Sequence, residues 1–300
     1  MENTLYSILF PKDGHIGYAV GENGIILKSI DNGETWQGLN SPTQNHLYGV
    51  DFPFDHLIGF AVGAKGTVIT TINGGKDWQL IPLKTDLDLL AVCFPQTELI
   101  GFAVGEDGLI LQTADSSETW EILHQGTGIK LYSVNFPFDT LTGYAVGERS
   151  VILKTTNGGE HWFPQTGNLD AEYRFNLRSV SFPFDDSTGY AVGDRAVIYK
   201  TIDGGETWKL LTEAFKPYSY NGVRFPANEY SGILVGGGGR ILRTSDGFQT
   251  VLPRESGVED DLYSVYCDAE CERAWVAGAN GTILRTIDGG FTWLKVKLDI

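Results

Sequence analysis

A tryptophan recurs at nearly constant spacing in this chain, and it closes a segment that is repeated seven times. The clearest copy is 189–208, GYAVGDRAVIYKTIDGGETW. Successive closing positions are 42, 42, 42, 46, 43 and 42 residues apart. Self-similarity at this period is typical of stacked supersecondary units, none of which can bury its own faces alone. The closing residues are Trp36, Trp78, Trp120, Trp162, Trp208, Val251 (in a degenerate copy) and Trp293.

Each unit contains short runs with the character of β-strands. In the fourth unit these are LYSVNF, GYAVG and VILKT, and a further run starts near Trp162. They are rich in β-branched and aromatic residues and are bounded by Gly, Pro, Asn and Asp, and no apolar run has a helical period. We therefore predict a single domain over residues 1–300, an all-β, seven-bladed β-propeller of four-stranded antiparallel blades, with both terminal blades complete. The expected blades are 5–40, 47–82, 89–124, 131–166, 177–212, 220–254 and 262–298.

The composition narrows the choice of partner. The chain has 22 Lys and Arg against 38 Asp and Glu, a formal net charge of −16. Nucleic acids and anionic membrane surfaces attract basic proteins, so neither is expected as a partner. No apolar run reaches the roughly 18 residues of a membrane span, and no direct membrane insertion is expected. No signal peptide precedes the first strand, which leaves two expectations open, a cytosolic protein or one whose leader has been removed.

The three cysteines fall into two groups. Cys93 lies in the first strand of the third unit, where we expect an inert buried thiol. Cys267 and Cys271 flank a turn of the last unit, CDAEC, and could form a disulfide if the protein is exported. Two thiols without a nearby histidine do not suggest zinc, and no metal or cofactor is expected.

The turn before each closing tryptophan has a common design. Its first residue, Asp or Asn, can bond the backbone of the turn, and its glycine permits a positive φ. A threonine hydroxyl can close the turn, and the tryptophan is expected to pack between blades. Calcium binding is the alternative, but single carboxylates on separate blades do not supply the about six to eight oxygens that calcium needs. The structural positions are Asp31 and Trp36, Asn73 and Trp78, Asp115 and Trp120, Asn157 and Trp162, Asp203 and Trp208, Asp246 alone, and Asp288 and Trp293.

This turn, Asp/Asn-x-Gly-x-Thr-Trp after GYAVGxxGxIL, is identified as the Asp-box, or bacterial neuraminidase repeat. With the preceding Phe-Pro and Gly-Tyr-Ala-Val-Gly, the chain resembles, over all seven units, the propeller family of photosystem II stability and assembly factors. The resemblance implies a non-enzymatic scaffold, monomeric by itself, that binds another protein or a subunit of a membrane-protein complex. It implies a periplasmic or thylakoid-lumen location. Asp-boxes also occur in sialidases and xyloglucan-cleaving hydrolases, so the alternative is a carbohydrate-active propeller, either a lectin-like binder or a glycoside hydrolase.

The clearest departure from the repeat lies between units 4 and 5, where Trp162 to Leu177 is 15 residues instead of 11. We predict a partner-binding site there, because arginine and tyrosine dominate binding energy at interfaces and arginine grips carboxylates. The family resemblance implies docking through an arginine-bearing face as well. The competing interpretation is that these arginines only balance Glu148, Asp170, Glu172 and Asp194. The predicted site residues are Tyr173, Arg174 and Arg178, in or next to this connector, and Arg149 and Arg195, at equivalent positions in the turns between the second and third strands of units 4 and 5.

A second series occupies the start of the innermost strands. Tyrosines stand there in four units, and they are predicted to line the mouth of the central channel. They could form an aromatic rim for a ligand, or they could serve packing between blades. The four are Tyr6, Tyr48, Tyr132 and Tyr263.

No arrangement in the sequence favours catalysis. The five histidines are scattered singly, without the spacing of a metal site or of a base beside a nucleophile. The connectors are short, whereas a hydrolase needs long loops and a carboxylate pair about 5–10 Å apart across a cleft. We therefore expect a protein-binding scaffold rather than an enzyme.

Overall fold

Each repeat unit folds into one sheet because its strands are short and separated by glycine-rich turns. The structure, a computed structural model, describes residues 3–11, 14–95, 97–165, 174–183, 186–211 and 216–298. Its seven sheets each contain four consecutive strands, paired antiparallel in chain order. The first strand of each lies beside the central channel. The predicted seven-bladed propeller is confirmed.

The strands follow the repeat closely. In blades 1 to 4 they are β1–β4 (Leu5–Leu9, Gly17–Gly21, Ile26–Ser29, Gln37–Leu39), β5–β8 (Leu47–Asp51, Gly59–Gly63, Thr67–Thr71, Gln79–Ile81), β9–β12 (Leu89–Cys93, Gly101–Gly105, Ile110–Thr113, Glu121–His124) and β13–β16 (Leu131–Asn135, Gly143–Gly147, Ile152–Thr155, Phe163–Pro164). In blades 5 to 7 they are β17–β20 (Leu177–Ser181, Gly189–Gly193, Ile198–Thr201, Lys209–Leu210), β21–β24 (Tyr220–Arg224, Gly232–Gly236, Arg240–Thr244, Leu252–Arg254) and β25–β28 (Leu262–Cys267, Ala274–Gly278, Ile283–Thr286, Leu294–Lys295).

The ring closes by side-chain packing between blades 7 and 1. Both blades have all four of their strands from consecutive sequence. Phe10 of blade 1 stacks on Trp275 of blade 7 with ring centroids 3.8 Å apart. The Ile8 N–H donates to the Ser264 hydroxyl at 3.2 Å. Within the described sheets no strand is exchanged across the closure, as the sequence predicted.

Aromatic rings pack between neighbouring blades. The Phe that follows the first strand stacks on a ring from the second strand of the preceding blade, as Phe182 does on Tyr144 at 3.8 Å. The Asp-box tryptophan of the same blade meets that Phe edge-on, as Trp208 does at 6.0 Å. Each apolar cluster of the core joins two adjacent blades. The core is therefore a ring of seven interfaces rather than one central mass.

Blade 6 solves the loss of its tryptophan in another way. Val251, at the tryptophan position, is 42% exposed. Phe248, three residues earlier, is buried instead and meets Phe225 edge-on with centroids 5.4 Å apart. Its φ is +62°, in the left-handed region where five of the other six boxes place glycine and one places Ser117. The sequence comparison by position missed this substitution, because the replacing ring comes from a different place in the turn.

Two faces result from the alternation of the turns. Turns between second and third strands bond to the connectors that enter the first strand; the Glu22 N–H, for example, donates to the Thr4 carbonyl at 2.9 Å. We call this the connector face. Asp-box turns bond instead to the turns between first and second strands, as Gly74 N–H does to the Leu57 carbonyl at 2.9 Å. We call that the box face.

Candidate functional site

The arginines of blades 4 and 5 stand on tight turns of the connector face. Glu148–Ser150 and Asp194–Ala196 each form a single 3₁₀ turn whose middle residue is left-handed. That residue is Arg149 (φ +56°) in one and Arg195 (φ +59°) in the other, and both side chains are exposed. The same position carries Asn23, Lys65, Asp107 and Asn280 in other blades. The backbone of the turn thus presents whatever side chain the sequence places there.

Asn176 holds the two arginine turns side by side. Its Oδ1 accepts the Arg149 N–H at 3.3 Å, and its Nδ2 donates to Asp194 Oδ2 at 3.0 Å. Its carbonyl accepts the Asp194 N–H at 2.9 Å. Arg174, exposed, lies two residues before it on the same connector. One amide side chain therefore joins both turns to the segment that carries the third arginine.

Arg178 has a different environment from the other three arginines. It is half-buried at the mouth of the channel, where its Nε lies 2.6 Å from Asp194 Oδ1. Its guanidinium lies 5.6 Å from the ring centroid of Tyr132. Asp194 is further engaged by Asn176 Nδ2 and by the Ser219 hydroxyl at 2.9 Å. Arg178 is thus a neutralised, positioned cation rather than a free one.

The exposed arginines find no acidic partner within the part of the chain that the structure describes. None of the ion pairs there involves Arg149, Arg174 or Arg195. Glu148 is occupied, since it accepts the Lys130 N–H at 3.2 Å and the Tyr132 hydroxyl at 3.3 Å. The other predicted site residue, Tyr173, lies outside the described residues, as do Asp170 and Glu172.

The predicted tyrosines do converge at the channel mouth of the connector face. They line a cavity of about 230 Å³ together with Arg178 and Asn221. The Tyr6 ring lies 5.2 Å from Tyr48 and 5.6 Å from Tyr263, measured between centroids. Burial raises the pKa of all four phenols, and Glu22 beside Tyr6 and Glu148 beside Tyr132 raise it further. These tyrosines therefore stay protonated, and Tyr6 and Tyr132 donate hydrogen bonds to Glu22 and Glu148.

Carboxylates of the connector face serve as structural staples. Glu22 accepts the Thr4 N–H at 2.8 Å and the Tyr6 hydroxyl at 3.3 Å. The Thr4 N–H is the main cause that lowers the pKa of Glu22. In blade 3 the Lys130 ammonium lowers the pKa of Glu106 in the same way. These acids are ionised and tie each turn to the connector beside it.

A second cavity next to the arginines was missed by sequence reasoning. It encloses about 520 Å³ between blades 5, 6 and 7 and shares Arg178 and Tyr263 with the channel mouth. The Arg240 guanidinium lies over the Tyr218 ring at 3.9 Å from its centroid. The signal was present in the sequence, since Arg240 stands where other blades carry an apolar residue or threonine. The basic surface therefore extends from blade 4 to blade 6.

The Asp-box carboxylates are consumed by their own turns. In blade 5 the Thr207 hydroxyl donates to Asp203 Oδ2 at 2.6 Å and the Thr207 N–H donates to Oδ1 at 2.9 Å. The Thr201 hydroxyl donates to Asp203 Oδ1 at 2.8 Å, and it accepts the Gly205 N–H at 2.9 Å. Among the described residues there is no group of three or more His, Cys, Asp or Glu placed to hold a metal ion. The geometry is that of a closed, self-satisfied turn.

The opposite mouth of the channel, on the box face, holds a cavity of about 530 Å³. Polar side chains at its rim accept the N–H of the next blade's phenylalanine, as Asp51 does for Phe94 at 2.7 Å. Burial raises the pKa of Asp51 to about 6. Cys93, at the equivalent position, is hydrogen-bonded to the Phe136 backbone, and burial raises the pKa of its thiol to about 12. Asp51 and Cys93 therefore serve the fold, because each is hydrogen-bonded to the backbone of the next blade.

Comparison with known proteins places this geometry in a family. The sequence profile described as photosynthesis system II assembly factor YCF48 matches residues 31–131 and 116–217. No curated protein sequence matches the chain. Within the described part of the chain, no helix is long and apolar enough to cross a membrane.

Solved structures share the fold at low identity. One is YCF48 bound to D1 peptide, 21% identical, with a TM-score of 0.76 over 95% of this chain and 92% of the other. Another is YCF48 from Cyanidioschyzon merolae, 20% identical, with a TM-score of 0.74 over 95% and 96%. A GH74 xyloglucanase from Xanthomonas campestris is 13% identical, with a TM-score of 0.78 over 97% of this chain and 52% of the enzyme.

Proposed function

Because the chain belongs to the family of the photosynthesis system II assembly factor YCF48, we propose that it is a non-enzymatic assembly factor. In this proposal it holds a segment of a membrane-protein subunit against the connector face of blades 4 and 5. The observation that carries the proposal is the set of three exposed arginines, Arg149, Arg174 and Arg195, without an acidic partner among the described residues. In a chain of net charge −16, the described acidic residues leave these three cations unpaired.

The chemistry of this sector suits a peptide that carries carboxylates. Arginine forms two parallel hydrogen bonds with a carboxylate, and its charge attracts the partner before contact. Because Asn176 already fixes the backbone of the two arginine turns, these turns lose little conformational freedom on binding. A related fold, YCF48, has been solved with a D1 peptide bound, which supports a peptide of a photosystem II protein as the class of partner.

The tyrosines and carboxylates of the connector face favour binding over hydrolysis. A glycosidase needs a carboxylic acid held protonated beside an ionised one. Here Glu22 and Glu106 have lowered pKa values and bond to the fold. A tyrosine nucleophile would need its pKa lowered, whereas burial raises the pKa of Tyr6 and Tyr132. The similarity to the xyloglucanase is one of fold, and in this proposal it does not extend to activity.

The test is a binding titration with a synthetic D1 peptide, read by fluorescence anisotropy at low and physiological salt. We expect Arg149→Glu and Arg195→Glu each to weaken binding several-fold, and the double variant to weaken it by about tenfold or more, since each tenfold step is about 1.4 kcal/mol. Binding by the wild type should also weaken as salt screens the charges.

Lys65→Glu is the matched control. Lys65 is exposed at the same left-handed position of the blade 2 turn, with φ +55°, and its reversal changes the net charge equally. It should shift the dissociation constant less than twofold. Equal losses in Lys65→Glu and Arg149→Glu would show that only overall charge matters and would refute the site. Absence of binding by the wild type, together with release of reducing sugar from xyloglucan, would favour the hydrolase instead.

A further inference from the structure

The stacked aromatic pairs that join the blades are interrupted at one interface. Six blade junctions contain a pair with centroids 3.7–4.0 Å apart. Between blades 6 and 7 the corresponding residues are Ile233 and Cys267, which are buried in one apolar cluster with Cys271 and Trp293. Neither Ile233 nor Cys267 carries a ring, so this junction cannot form the stack. It is where the repeat has been rebuilt.

The rebuilding involves three positions together. In six blades the phenylalanine lies over a glycine that starts the second strand, so close that a Cβ on Gly189, for example, would lie 2.4 Å from Phe182 Cζ. In blade 7 the phenylalanine position is Cys267 and the glycine position is Ala274. The methyl group is accommodated because the ring is gone. Cys271, which is 1% exposed, takes the remaining space. The equivalent residues of the other blades are Gly14, His56, Glu98, Thr140, Asp186 and Glu229.

The turn between the two cysteines is held so that their sulfurs face each other. Their Sγ atoms are 3.1 Å apart, and both residues are 1% exposed. Asp268 fixes the turn: its carbonyl accepts the Cys271 N–H at 3.0 Å, and its carboxylate accepts the Glu272 N–H at 3.0 Å and pairs with Arg273 at 3.0 Å. Cys271 itself has φ +53°, an uncommon conformation for a residue with a side chain.

We infer that Cys267 and Cys271 form a disulfide that closes this turn of blade 7 and fixes the surface that packs against blade 6, where the aromatic stack is missing. Each thiol loses one proton and one electron. The two electrons are accepted by a disulfide oxidant, such as oxidised glutathione or the disulfide of a thiol oxidoreductase, which leaves as two thiols. The sulfurs have to approach by about 1 Å to reach the disulfide bond length of about 2.05 Å.

The burial of the pair sets when the bond forms. Burial raises the pKa of Cys267 well above its ordinary value, so little thiolate is present in the folded protein. Because the thiolate is the reactive species, exchange in the native state is slow. The bond therefore forms during folding, before the turn closes, and resists reduction afterwards. It links the stability of one blade junction to the redox conditions under which the chain folds.

The first test counts free thiols. The wild-type protein is refolded with oxidised and reduced glutathione, denatured, treated with maleimide and weighed by mass spectrometry. The chain has three cysteines, so a bond between Cys267 and Cys271 leaves one maleimide adduct, on Cys93, and prior reduction restores three. Cys93→Ser should give no adduct without reduction. Three adducts without reduction, or a peptide map that pairs Cys93 with either partner, would overturn the inference.

The second test measures how much the bond stabilises the fold. A bond that closes a five-residue loop should raise the thermal midpoint of a chain of this length by roughly 3 °C. Wild type refolded in the presence of reductant should lack that increase, and the double variant Cys267→Ser/Cys271→Ser should melt at the same temperature whether it is refolded with or without reductant. Cys93→Ser should respond like the wild type. Equal melting temperatures of the wild type refolded with and without reductant would show that the bond does not stabilise the fold.

Discussion

The close approach of phenylalanine to glycine between strands makes a quantitative prediction for blade 5. Phe182 is 3% exposed, stacks on Tyr144 at 3.8 Å and meets Trp208 edge-on at 6.0 Å. Phe182→Ala removes a buried ring from the junction with blade 4 and should cost about 3–5 kcal/mol of unfolding free energy. Gly189→Ala places a methyl group 2.4 Å from Phe182 Cζ. Because Tyr144 lies against the opposite side of that ring, the ring cannot retreat freely, and the overpacking should cost about 1–3 kcal/mol.

The losses of unfolding free energy caused by Phe182→Ala and Gly189→Ala should not be additive. Without the ring, the methyl group introduced at position 189 meets no obstacle and fills part of the space that Phe182 leaves, as Ala274 does beside Cys267 in blade 7. The double variant Phe182→Ala/Gly189→Ala should therefore be no less stable than Phe182→Ala alone. The coupling free energy is then about 1–3 kcal/mol, within the range for residues in contact.

The assay is guanidinium unfolding followed by tryptophan fluorescence, with free energies from linear extrapolation. Phe138→Ala is the control, since Phe138 is 59% exposed and its loss should change the free energy by less than about 0.5 kcal/mol. If the double variant loses the sum of the two single losses, Phe182 and Gly189 do not share one space. The packing argument for blade 7 would then fail as well.

Two further predictions concern titrating carboxylates. The Thr119 hydroxyl and N–H lower the pKa of Asp115 below its ordinary 3.8, so its contribution to stability is full above that value and is lost as the pH falls through the folded-state pKa. The destabilisation by Asp115→Ala should therefore shrink as the pH falls below about 4 in urea titrations, whereas that of Asn157→Ala, at the neutral equivalent position, should stay constant. A parallel pair of profiles would refute the assignment. Burial raises the pKa of Asp51 to about 6, so ionisation destabilises the fold progressively as the pH rises from about 4 to above 6. Asp51→Asn keeps an acceptor for the Phe94 N–H, as Asn135 is for the Phe182 N–H at 3.1 Å. This variant should be more stable than the wild type by about 1–3 kcal/mol at pH 8 and equal to it near pH 4. A lower stability of the variant at pH 8 would contradict this prediction.

The architecture was predictable because its information is local and repeated. The period of the closing tryptophans and the strand-like runs define four strands per unit, and the complete strands of the first and last units predict closure without exchange. The arrangement between blades was less accessible. The sequence predicted that the tryptophans pack between blades. The stacked pair, however, consists of the phenylalanine before proline and a ring from the preceding blade, such as Phe52 and Tyr18. That pairing depends on blade-to-blade register, which a single unit does not contain.

The candidate site shows the same division. The sequence singled out Arg149 and Arg195 because they occupy equivalent turn positions in adjacent units. Asn176, which bridges their turns, lies in a connector whose length differs from the others, so no alignment of units assigns it a partner. The pairing of Arg240 with Tyr218 likewise joins a strand to a connector and requires the three-dimensional arrangement. Residues were predictable where the repeat supplied a comparison, and their contacts were not.

The turns of the connector face explain why the arginines are better understood through binding than through folding. The fold requires a left-handed residue at the middle of each turn, and glycine or asparagine adopts that conformation at the lowest cost. Arginine at φ +56° or +59° costs more, and its exposed side chain returns no packing energy. The neighbouring carboxylates Glu148 and Asp194 are already committed to Tyr132 and Arg178. The described part of the fold therefore gives no folding reason for arginine at these two adjacent turns. In the proposed function, an incoming carboxylate is the group that pairs with them.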